Sequence, residues 1–117
     1  MSLYKELWIE NEQCNYNIDI YDDNTDVIVM MNDGTKWIAS FFTYKNIESL
    51  RLKNQQTGEN LNGLFLWSSN MILIEKIDRT LLERVISNLM EEGLFVQVFT
   101  RIEESENFSE KEFHESI

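Results

Sequence analysis

The sequence predicts an α+β domain, with a mostly antiparallel sheet of about five to six strands and two main helices packed on one face. Three observations carry this prediction. An Asp-Gly pair separates two apolar runs in the segment Asp26–Phe42, which is typical of a β-hairpin. An amphipathic helical stripe follows Asp78. The other apolar segments are short, and their connections favour hairpins in an antiparallel sheet.

The central hairpin is predicted to turn at Asp33-Gly34 in a two-residue type I′ loop, which needs positive φ at both positions. The loop length sets the register, and the predicted cross-strand pairs are Met30 with Trp37, Ile28 with Ala39, and Val29 with Ile38. Both faces of the hairpin are then largely apolar. Such a hairpin lies at the centre of a sheet, or has one face covered by helices and the other available to a partner.

The remaining strands and the N-terminus are assigned from periodicity. Residues 2–10 carry a helical stripe and predict a short N-terminal helix, and residues 15–21 alternate as a half-buried strand does. The apolar runs 64–67 and 71–75 predict either two strands or one interrupted strand. Residues 94–101 predict the last strand.

Two helices have recognisable ends. Thr43 is the expected N-cap of a helix to about Gln56, with Gly58 as its stop signal. Asp78 is the expected N-cap of the second helix, and Gly93 ends it. The predicted core-facing stripe of this second helix consists of Leu81, Leu82, Val85, Ile86, Leu89 and Met90.

Residues 1–102 are predicted to form a single α+β domain, followed by an acidic tail over residues 103–117. The tail has six acidic residues, one lysine and few apolar residues, so we expect it to be mobile, with a short helix as the alternative. The N-terminal segment has early acidic residues and no long apolar run. We therefore expect neither a signal peptide nor a membrane span, and a cytoplasmic location.

The charge of the chain restricts its partners. Its 117 residues include 21 acidic and 10 basic ones, for a net charge of −11, and the excess is spread over both halves. Such a surface repels the phosphates of nucleic acids and anionic lipids, and it favours a basic protein partner. The sequence thus predicts neither a nucleic-acid partner nor a membrane partner.

No pattern in the sequence predicts catalysis, a metal or a cofactor. His114 is the only histidine and lies in the expected mobile tail, and Cys14 is the only cysteine and has no nucleophile motif around it. The acidic run Asp22–Asp26 lacks the glycine and terminal glutamate of a calcium loop. We therefore expect a non-enzymatic protein.

Aromatic residues are abundant, and two substantial helices cannot cover both faces of the predicted sheet. We therefore expect some of the aromatic residues to be exposed as binding anchors. Acidic residues around them would steer a basic partner, and a homodimer through the same face is the competing use. The predicted anchors are Trp37, Phe41, Trp67, Phe95 and Phe99, and the predicted acidic rim is Asp19, Asp22, Asp23 and Glu59.

The run Asp33–Thr43 (DGTKWIASFFT), the pairs Gly58-Glu59 and Asn62-Gly63, and a strand–helix–strand pattern ending at Phe99 resemble small acidic single-domain bacterial proteins of unknown function. The resemblance covers residues 26–100. Some proteins of this kind act as immunity proteins in polymorphic toxin systems. The resemblance thus implies an inhibitor that binds a toxin domain, and it assigns no individual binding residue.

The leading hypothesis from the sequence is an interaction domain, of the immunity type, that binds a basic toxin domain by charge-steered docking. The alternative is a small-ligand-binding domain with a pocket between the sheet and the second helix, lined by Trp37 or Trp67. A flat aromatic patch would favour the first hypothesis, and a deep apolar pocket the second.

Overall fold

The computed structural model describes residues 3–13 and 19–103. Over these ranges the protein is an α+β domain with one five-stranded sheet, which confirms the predicted fold class. The predicted strand 15–21 lies mainly outside the described residues, and residues 19–21 are not in a strand. Cys14, His114 and the tail from residue 104 also lie outside them.

The secondary structure of the described residues consists of five strands, four α-helical segments and one 3₁₀ turn. They are, in order, β1 (Glu6–Ile9), the 3₁₀ turn (Glu10–Gln13), β2 (Asn24–Met30), β3 (Lys36–Thr43), α1 (Tyr44–Thr57), α2 (Glu59–Gly63), β4 (Met71–Ile74), α3 (Arg79–Glu91), α4 (Phe95–Val98) and β5 (Thr100–Ile102).

The sheet is mostly antiparallel. β1, β2 and β3 are consecutive antiparallel neighbours. The far edge of β3 holds two strands: β5 pairs antiparallel with Lys36–Ile38, and β4 pairs parallel with Ser40–Thr43. The parallel pair requires a crossover, which α1 and α2 provide.

The loop of the central hairpin contains three residues, so the predicted two-residue turn and its register are wrong by one position. The Met31 N–H donates to the Thr35 carbonyl at 2.8 Å, and the Gly34 N–H donates to the Met31 carbonyl at 3.0 Å. Within the loop only Gly34 has a positive φ, of +90°, as in a type I turn followed by a bulge. The observed pairs are Met30 with Lys36, Val29 with Trp37, Ile28 with Ile38, and Val27 with Ala39.

The side chain of Asp33 explains the longer loop. Its carboxylate accepts hydrogen bonds from the Thr35 N–H at 2.9 Å and from the Thr35 hydroxyl at 2.7 Å. These local bonds hold Asp33 within the turn, and Gly34 alone takes the left-handed position. A one-residue shift exchanges the faces of one strand relative to its partner, so Trp37 shares a face with Val29 instead of Met30.

Three predicted elements are wrong. The N-terminal helix is replaced by β1, in which Leu7 and Ile9 are buried and alternate with exposed residues. Residues 64–67 are not in a strand. Half of the predicted last strand 94–101 is α4, and the strand is limited to β5. Residues four apart, such as Phe95 and Phe99, share one face in a helix and also in a strand. Periodicity therefore did not distinguish a helix from a strand here.

Both predicted helices are confirmed, together with their caps. The Thr43 hydroxyl accepts a hydrogen bond from the Asn46 N–H at 3.0 Å at the start of α1, and Gly58 follows its end with a φ of +88°. The Asp78 carboxylate accepts from the Thr80 N–H at 2.9 Å at the start of α3. The buried side chains of α3 are Leu82 and Ile86, and the rest of its predicted stripe packs partly against the core.

The core lies between α3 and one face of the sheet, which we call the covered face. α3 and α4 contribute to this core, whereas α1 contributes no apolar side chain to it. The buried side chains of α1 are Asn46 and Asn54. The sheet side chains of the core are Leu7, Ile9, Val27, Val29, Ala39, Phe41 and Ile74, and those that follow β4 are Ile77, Leu82, Ile86, Phe95 and Phe99.

A polar cluster joins the segment before β2 to the start of α1. The Asp22 carboxylate accepts hydrogen bonds from the Asn46 side chain at 2.9 Å and from the Ser49 hydroxyl at 2.8 Å. These two bonds hold the pKa of Asp22 below its ordinary value, because they stabilise the charged form. The cluster therefore takes the place of apolar packing at the first turn of α1.

The segment α2 is left-handed. Asn60, Leu61 and Asn62 have φ values of 53°, 52° and 58°, and Gly58 and Gly63 flank them with positive φ. Asparagine tolerates this conformation, whereas leucine at such a position costs about 1 kcal/mol. Gly63 is buried against α1, and a Cβ there would lie 2.6 Å from the Arg51 carbonyl oxygen. We call residues 44–70 the arm, because α1 makes most of its contacts with α2.

We expect Gly63→Ala to lower the free energy of unfolding more than Gly93→Ala does. Both glycines have similar positive φ values, +80° and +74°, but a Cβ at Gly93 would meet no atom within 4 Å. The shared conformational cost is about 1 kcal/mol, and forcing a methyl group against fixed backbone adds about 1–3 kcal/mol. Urea unfolding of both variants measures the difference, and equal losses would show that Gly63 does not hold α2 on α1.

We expect the contribution of Asp22 to stability to depend on pH. Because the folded-state pKa is lowered, this contribution is complete above the unfolded-state pKa of about 3.9 and is lost as the pH falls through the folded-state pKa. Asp22→Asn should therefore be less stable than the wild type at neutral pH, and the difference should shrink under acid. Urea unfolding across pH measures it, with Glu75→Gln at an exposed position as the control. A difference in the free energy of unfolding between wild type and Asp22→Asn that stays constant with pH would contradict a stabilising role of the charged Asp22 carboxylate.

Candidate functional site

Three of the five predicted aromatic anchors are core side chains. Phe41, Phe95 and Phe99 are buried. The rings of Phe95 and Phe99 stack with their centroids 4.4 Å apart, and Phe41 lies 6.3 Å from Phe99. The prediction that these three belong to an exposed patch is wrong, because they pack in the same cluster as Leu82 and Ile86 of α3.

The other two predicted anchors lie in different places. Trp37 is half-buried on the covered face, where its ring centroid is 5.6 Å from that of Phe95 and its Nε1 donates to the Thr35 hydroxyl at 3.0 Å. Trp67 is 71% exposed and lies on the arm. The structure therefore does not bring the five aromatic residues together on one surface.

The four predicted rim acids are also divided. Asp19, Asp22 and Asp23 precede β2, and their side chains accept hydrogen bonds within the fold. Glu59 lies at the start of α2, where it accepts from the Thr57 hydroxyl at 2.8 Å. These contacts give each acid a local structural partner, and they place Glu59 on the arm and the three aspartates beside the sheet.

The face of the sheet opposite α3, which we call the open face, carries apolar side chains that do not belong to the core. The register places Trp8, Ile28 and Ile38 side by side across β1, β2 and β3. Met30 lies on the same face in the neighbouring cross-strand row. Phe42 lies on this face beyond the Asp26–Ser40 row, paired with Asn24, whose side chain donates to Asn46 of α1 at 2.9 Å. Trp8 is 39% exposed, and the four apolar side chains Ile28, Met30, Ile38 and Phe42 are half-buried. The open face is therefore an apolar surface with an accessible tryptophan on its edge strand.

A hollow of about 400 Å³ lies on the open face and is lined by Glu6, Trp8, Ile28, Met30 and Lys36. Glu6 and Lys36 flank Met30 in one cross-strand row. Because neighbouring strands lie about 4.8 Å apart, the two charged residues are roughly 10 Å from each other. The half of the hollow beside Glu6 and Trp8 thus combines a carboxylate with an aromatic ring, a pair that suits a cationic side chain.

Two further carboxylates lie around the open face. Asp26 shares this face with Ile28 and accepts a hydrogen bond from the Ser40 hydroxyl at 2.7 Å. Glu10, in the 3₁₀ turn after β1, accepts from the Asp26 N–H at 3.3 Å. Glu6, Glu10 and Asp26 thus place three carboxylates around this face. Its one basic side chain is Lys36. The open face is therefore apolar at its centre and acidic at its margin.

Trp8 is one of the surface residues that the sequence-based predictions leave out, as are Leu61, Leu64 and Phe65. It was assigned to an N-terminal helix because Leu3, Tyr4 and Leu7 also follow helical spacing. The alternation in β1, with Leu7 and Ile9 buried and Trp8 exposed, was present in the sequence. Over the four residues of β1, however, a period of two is a weaker signal than the helical spacing of Leu3, Tyr4, Leu7 and Trp8.

A second apolar surface lies on the arm, and we call it the arm tip. It consists of four large side chains within seven consecutive residues. Their exposed fractions are 68% for Leu61, 80% for Leu64, 48% for Phe65 and 71% for Trp67. Soluble monomers rarely leave such side chains exposed together without a use.

The centre of the interface between the sheet and α3, where the sequence predicts a ligand pocket, is filled by side chains, and a hollow of about 190 Å³ lined by Ile9, Ile77 and Leu82 among others lies at the start of α3. Phe41, Leu82, Ile86 and Phe99 are at most 2% exposed there and form part of one cluster. Trp37 packs against this cluster, and Trp67 lies elsewhere, on the arm. The open face and the arm tip are apolar surfaces that the geometry offers for binding, beside a cleft of about 640 Å³ along α3 that is lined by Thr80, Arg84, Ser87 and Glu91 among others.

Two further findings concern the described part of the chain. Among residues 3–13 and 19–103, no group of three histidine, cysteine or acidic side chains is placed to hold a metal ion. Within the same residues, no helix has the length and apolar character that crossing a lipid bilayer requires.

Electrostatic contacts at the margin of the open face fix its edge strand. Arg79 donates to both carboxylate oxygens of Glu12, at 2.9 and 2.7 Å, and to the Leu7 carbonyl at 3.1 Å. These hydrogen bonds hold the pKa of Glu12 below its ordinary value. The guanidinium thus holds the 3₁₀ turn and β1 against the start of α3, which keeps Trp8 in place.

In a comparison with known proteins, this chain matches no protein-family model, no curated protein and no solved structure.

Proposed function

We propose that this protein is an interaction domain that binds a basic protein through the open face of its sheet. The observation that carries the proposal is the apolar row of Trp8, Ile28 and Ile38, which lies outside the core and is bordered by carboxylates. An accessible tryptophan on a firmly paired strand is a typical binding anchor. It supplies a large contact area at a low cost in side-chain entropy.

Charge supports the choice of partner. The chain carries a net charge of −11, and Glu6, Glu10 and Asp26 border the open face against Lys36. An acidic protein attracts a basic partner over about one Debye length and speeds the encounter. A partner lysine or arginine that enters the hollow beside Glu6 would meet both a carboxylate and the Trp8 ring.

An immunity-type inhibitor of a basic toxin domain is the finer form of this proposal. Its support is the resemblance of residues 26–100 to small acidic bacterial proteins, together with the acidic margin of the open face. An inhibitor of this type acts by occlusion, so its own residues need only bind and cover the partner. The open face suits that role because its apolar row spans three strands and can cover a wide area of a partner.

The test begins with affinity capture from cells that contain this protein, using the wild type and Trp8→Ala as baits. The captured protein is then purified, and its Kd is measured by calorimetry over a range of salt concentrations. We expect a basic partner whose Kd rises with salt and is raised at least ten-fold by Trp8→Ala, since buried tryptophan anchors contribute about 2 kcal/mol or more. Trp67→Ala removes an exposed tryptophan outside the open face and is the matched control.

Either of two results would contradict the proposal. One is that no protein is retained at any salt concentration. The other is a partner whose Kd is unchanged by Trp8→Ala and raised by Trp67→Ala, which would place partner binding on the arm tip. Thermal unfolding of both variants checks that each is folded, and we expect Trp8→Ala to fold because Trp8 is not a core residue.

A further inference from the structure

We propose that the outer edge of β4 binds an extended, basic segment of a partner polypeptide, which adds one antiparallel strand to the sheet. Strand addition of this kind obtains its affinity from main-chain hydrogen bonds. The site is a row of backbone groups at the edge of the sheet, so it differs from the open face and does not depend on the function proposed above.

The hydrogen bonds between β3 and β4 determine which backbone groups of β4 face outward. The Ser40 N–H donates to the Asn70 carbonyl at 3.0 Å, and Ser40 pairs with Met71. Because the bonds of a parallel ladder recur at every second residue of each strand, the N–H and C=O groups of Met71 and Leu73 point away from β3. Within residues 3–13 and 19–103, these four groups have no hydrogen-bond partner. The outer edge of β4 is therefore unpaired there.

The other strand edges of the sheet carry charged groups that hinder pairing, and β4 does not. The outward Leu7 carbonyl of β1 accepts a hydrogen bond from the Arg79 guanidinium at 3.1 Å. β5 contains Arg101, whose side chain lies 3.9 Å from the Glu103 carboxylate. Charged side chains at an edge are a common protection against pairing with another chain. β4 consists of four apolar residues, and its Leu73 is 43% exposed.

The backbone chemistry of this edge selects an extended chain as its occupant. Outward N–H and C=O groups on every second residue, about 7 Å apart, match the backbone groups of another strand. A helix uses its backbone groups internally and has none to offer along its length. Met71 and Leu73 lie on the same face of the sheet as Phe42. The segment should therefore carry apolar side chains at the alternate positions that lie beside Met71 and Leu73.

Charge selects a basic segment. Glu75 follows β4 directly, and its exposed side chain has no ion-pair partner among the described residues. The neighbouring base, Lys76, is already paired with Asp78 at 3.6 Å. Since the whole chain carries −11, lysine or arginine side chains of the segment are attracted to this edge. A second copy of the chain brings the same acidic excess and is repelled.

The first measurement is amide hydrogen exchange of the full chain alone, followed residue by residue by NMR. We expect the amides of Ile72 and Ile74, which donate to β3, to be protected. The amides of Met71 and Leu73 should exchange quickly because they face outward. Protection of Met71 and Leu73 in the chain alone would overturn the proposal, since the edge would then already be paired.

The second measurement is an NMR titration with a short synthetic peptide in which lysine and valine alternate. We expect the peptide to protect the amides of Met71 and Leu73, with a Kd that rises with salt. In an antiparallel pair, valines beside Leu73 donate their N–H groups to β4, so methylation of the valine nitrogens should abolish binding. Methylation of the lysine nitrogens, which face away, is the matched control and should leave the Kd unchanged. Equal binding of both methylated peptides would overturn the proposal.

Two substitutions at one position locate the contact on the protein. Leu73→Pro removes an outward N–H and places the proline ring on the outer edge, without removing a bond to β3. It should raise the peptide Kd about ten-fold or more, because one hydrogen bond is lost and the approach of the segment is blocked. Leu73→Ala keeps the N–H and should raise the Kd less. An equal rise in both variants would overturn the proposal, because the side chain alone would then hold the peptide.

Three controls complete the test. Thermal unfolding shows whether Leu73→Pro is folded, and the methylated peptides test the same bonds on the wild-type chain if it is not. Trp8→Ala should leave the peptide Kd unchanged, and a rise in Kd confined to Trp8→Ala would overturn the proposal by placing the peptide on the open face. Sedimentation equilibrium of the full chain should show a monomer. A dimer that Leu73→Pro abolishes would also overturn the proposal, because it would assign the edge to a second copy.

Discussion

The structure depends on one packing interaction, between the covered face of the sheet and the apolar stripe of α3. Leu82 and Ile86 are fully buried against Val27, Val29 and neighbouring sheet residues. The stacked rings of Phe95 and Phe99 extend this contact beyond the helix. Since α1 supplies no apolar side chain to the core, this packing covers the sheet on one side, and the chain retains a second apolar face.

The second face follows from the composition of α1. Its buried residues are Asn46 and Asn54, and Asn46 is held by hydrogen bonds to Asp22 and to the Thr43 cap. A helix anchored by such local polar bonds can serve as a crossover between β3 and β4 without packing an apolar stripe on the sheet. The exposed apolar residues of the arm tip, Leu61, Leu64, Phe65 and Trp67, lie outside α1, in α2 and the segment before β4.

The sequence was sufficient for the fold class, for the boundaries of α1 and α3, and for their caps at Thr43 and Asp78. Caps and long amphipathic stripes are local signals, and both can be recognised in the sequence without knowledge of the tertiary contacts. The hairpin register depended on whether both Asp33 and Gly34 were left-handed or Gly34 alone. That choice rests on hydrogen bonds between Asp33 and Thr35. The short elements β1 and α4 had too few residues for periodicity to distinguish strand from helix.

The candidate surfaces were harder to predict than the fold, for a specific reason. The chain has many aromatic residues and only two substantial helices to cover its sheet. This comparison correctly indicates that some apolar surface remains exposed. It does not indicate which residues, because that depends on strand register and on how each helix packs. Phe41 and Trp37 differ from Ile38 and Phe42 only in the parity of their positions along β3, yet the first pair faces the core and the second pair faces outward. Trp67 is exposed, although residues 64–67 do not form the strand that the sequence predicts.

The open face and the arm tip differ in charge, so contacts made through them would respond differently to salt. The open face has an apolar centre within an acidic margin, so attraction to a basic protein and apolar burial act together there. The arm tip has apolar side chains on a segment of net charge +1 within a chain of −11, so apolar burial acts nearly alone. Salt weakens the first kind of contact and strengthens the second between like-charged copies.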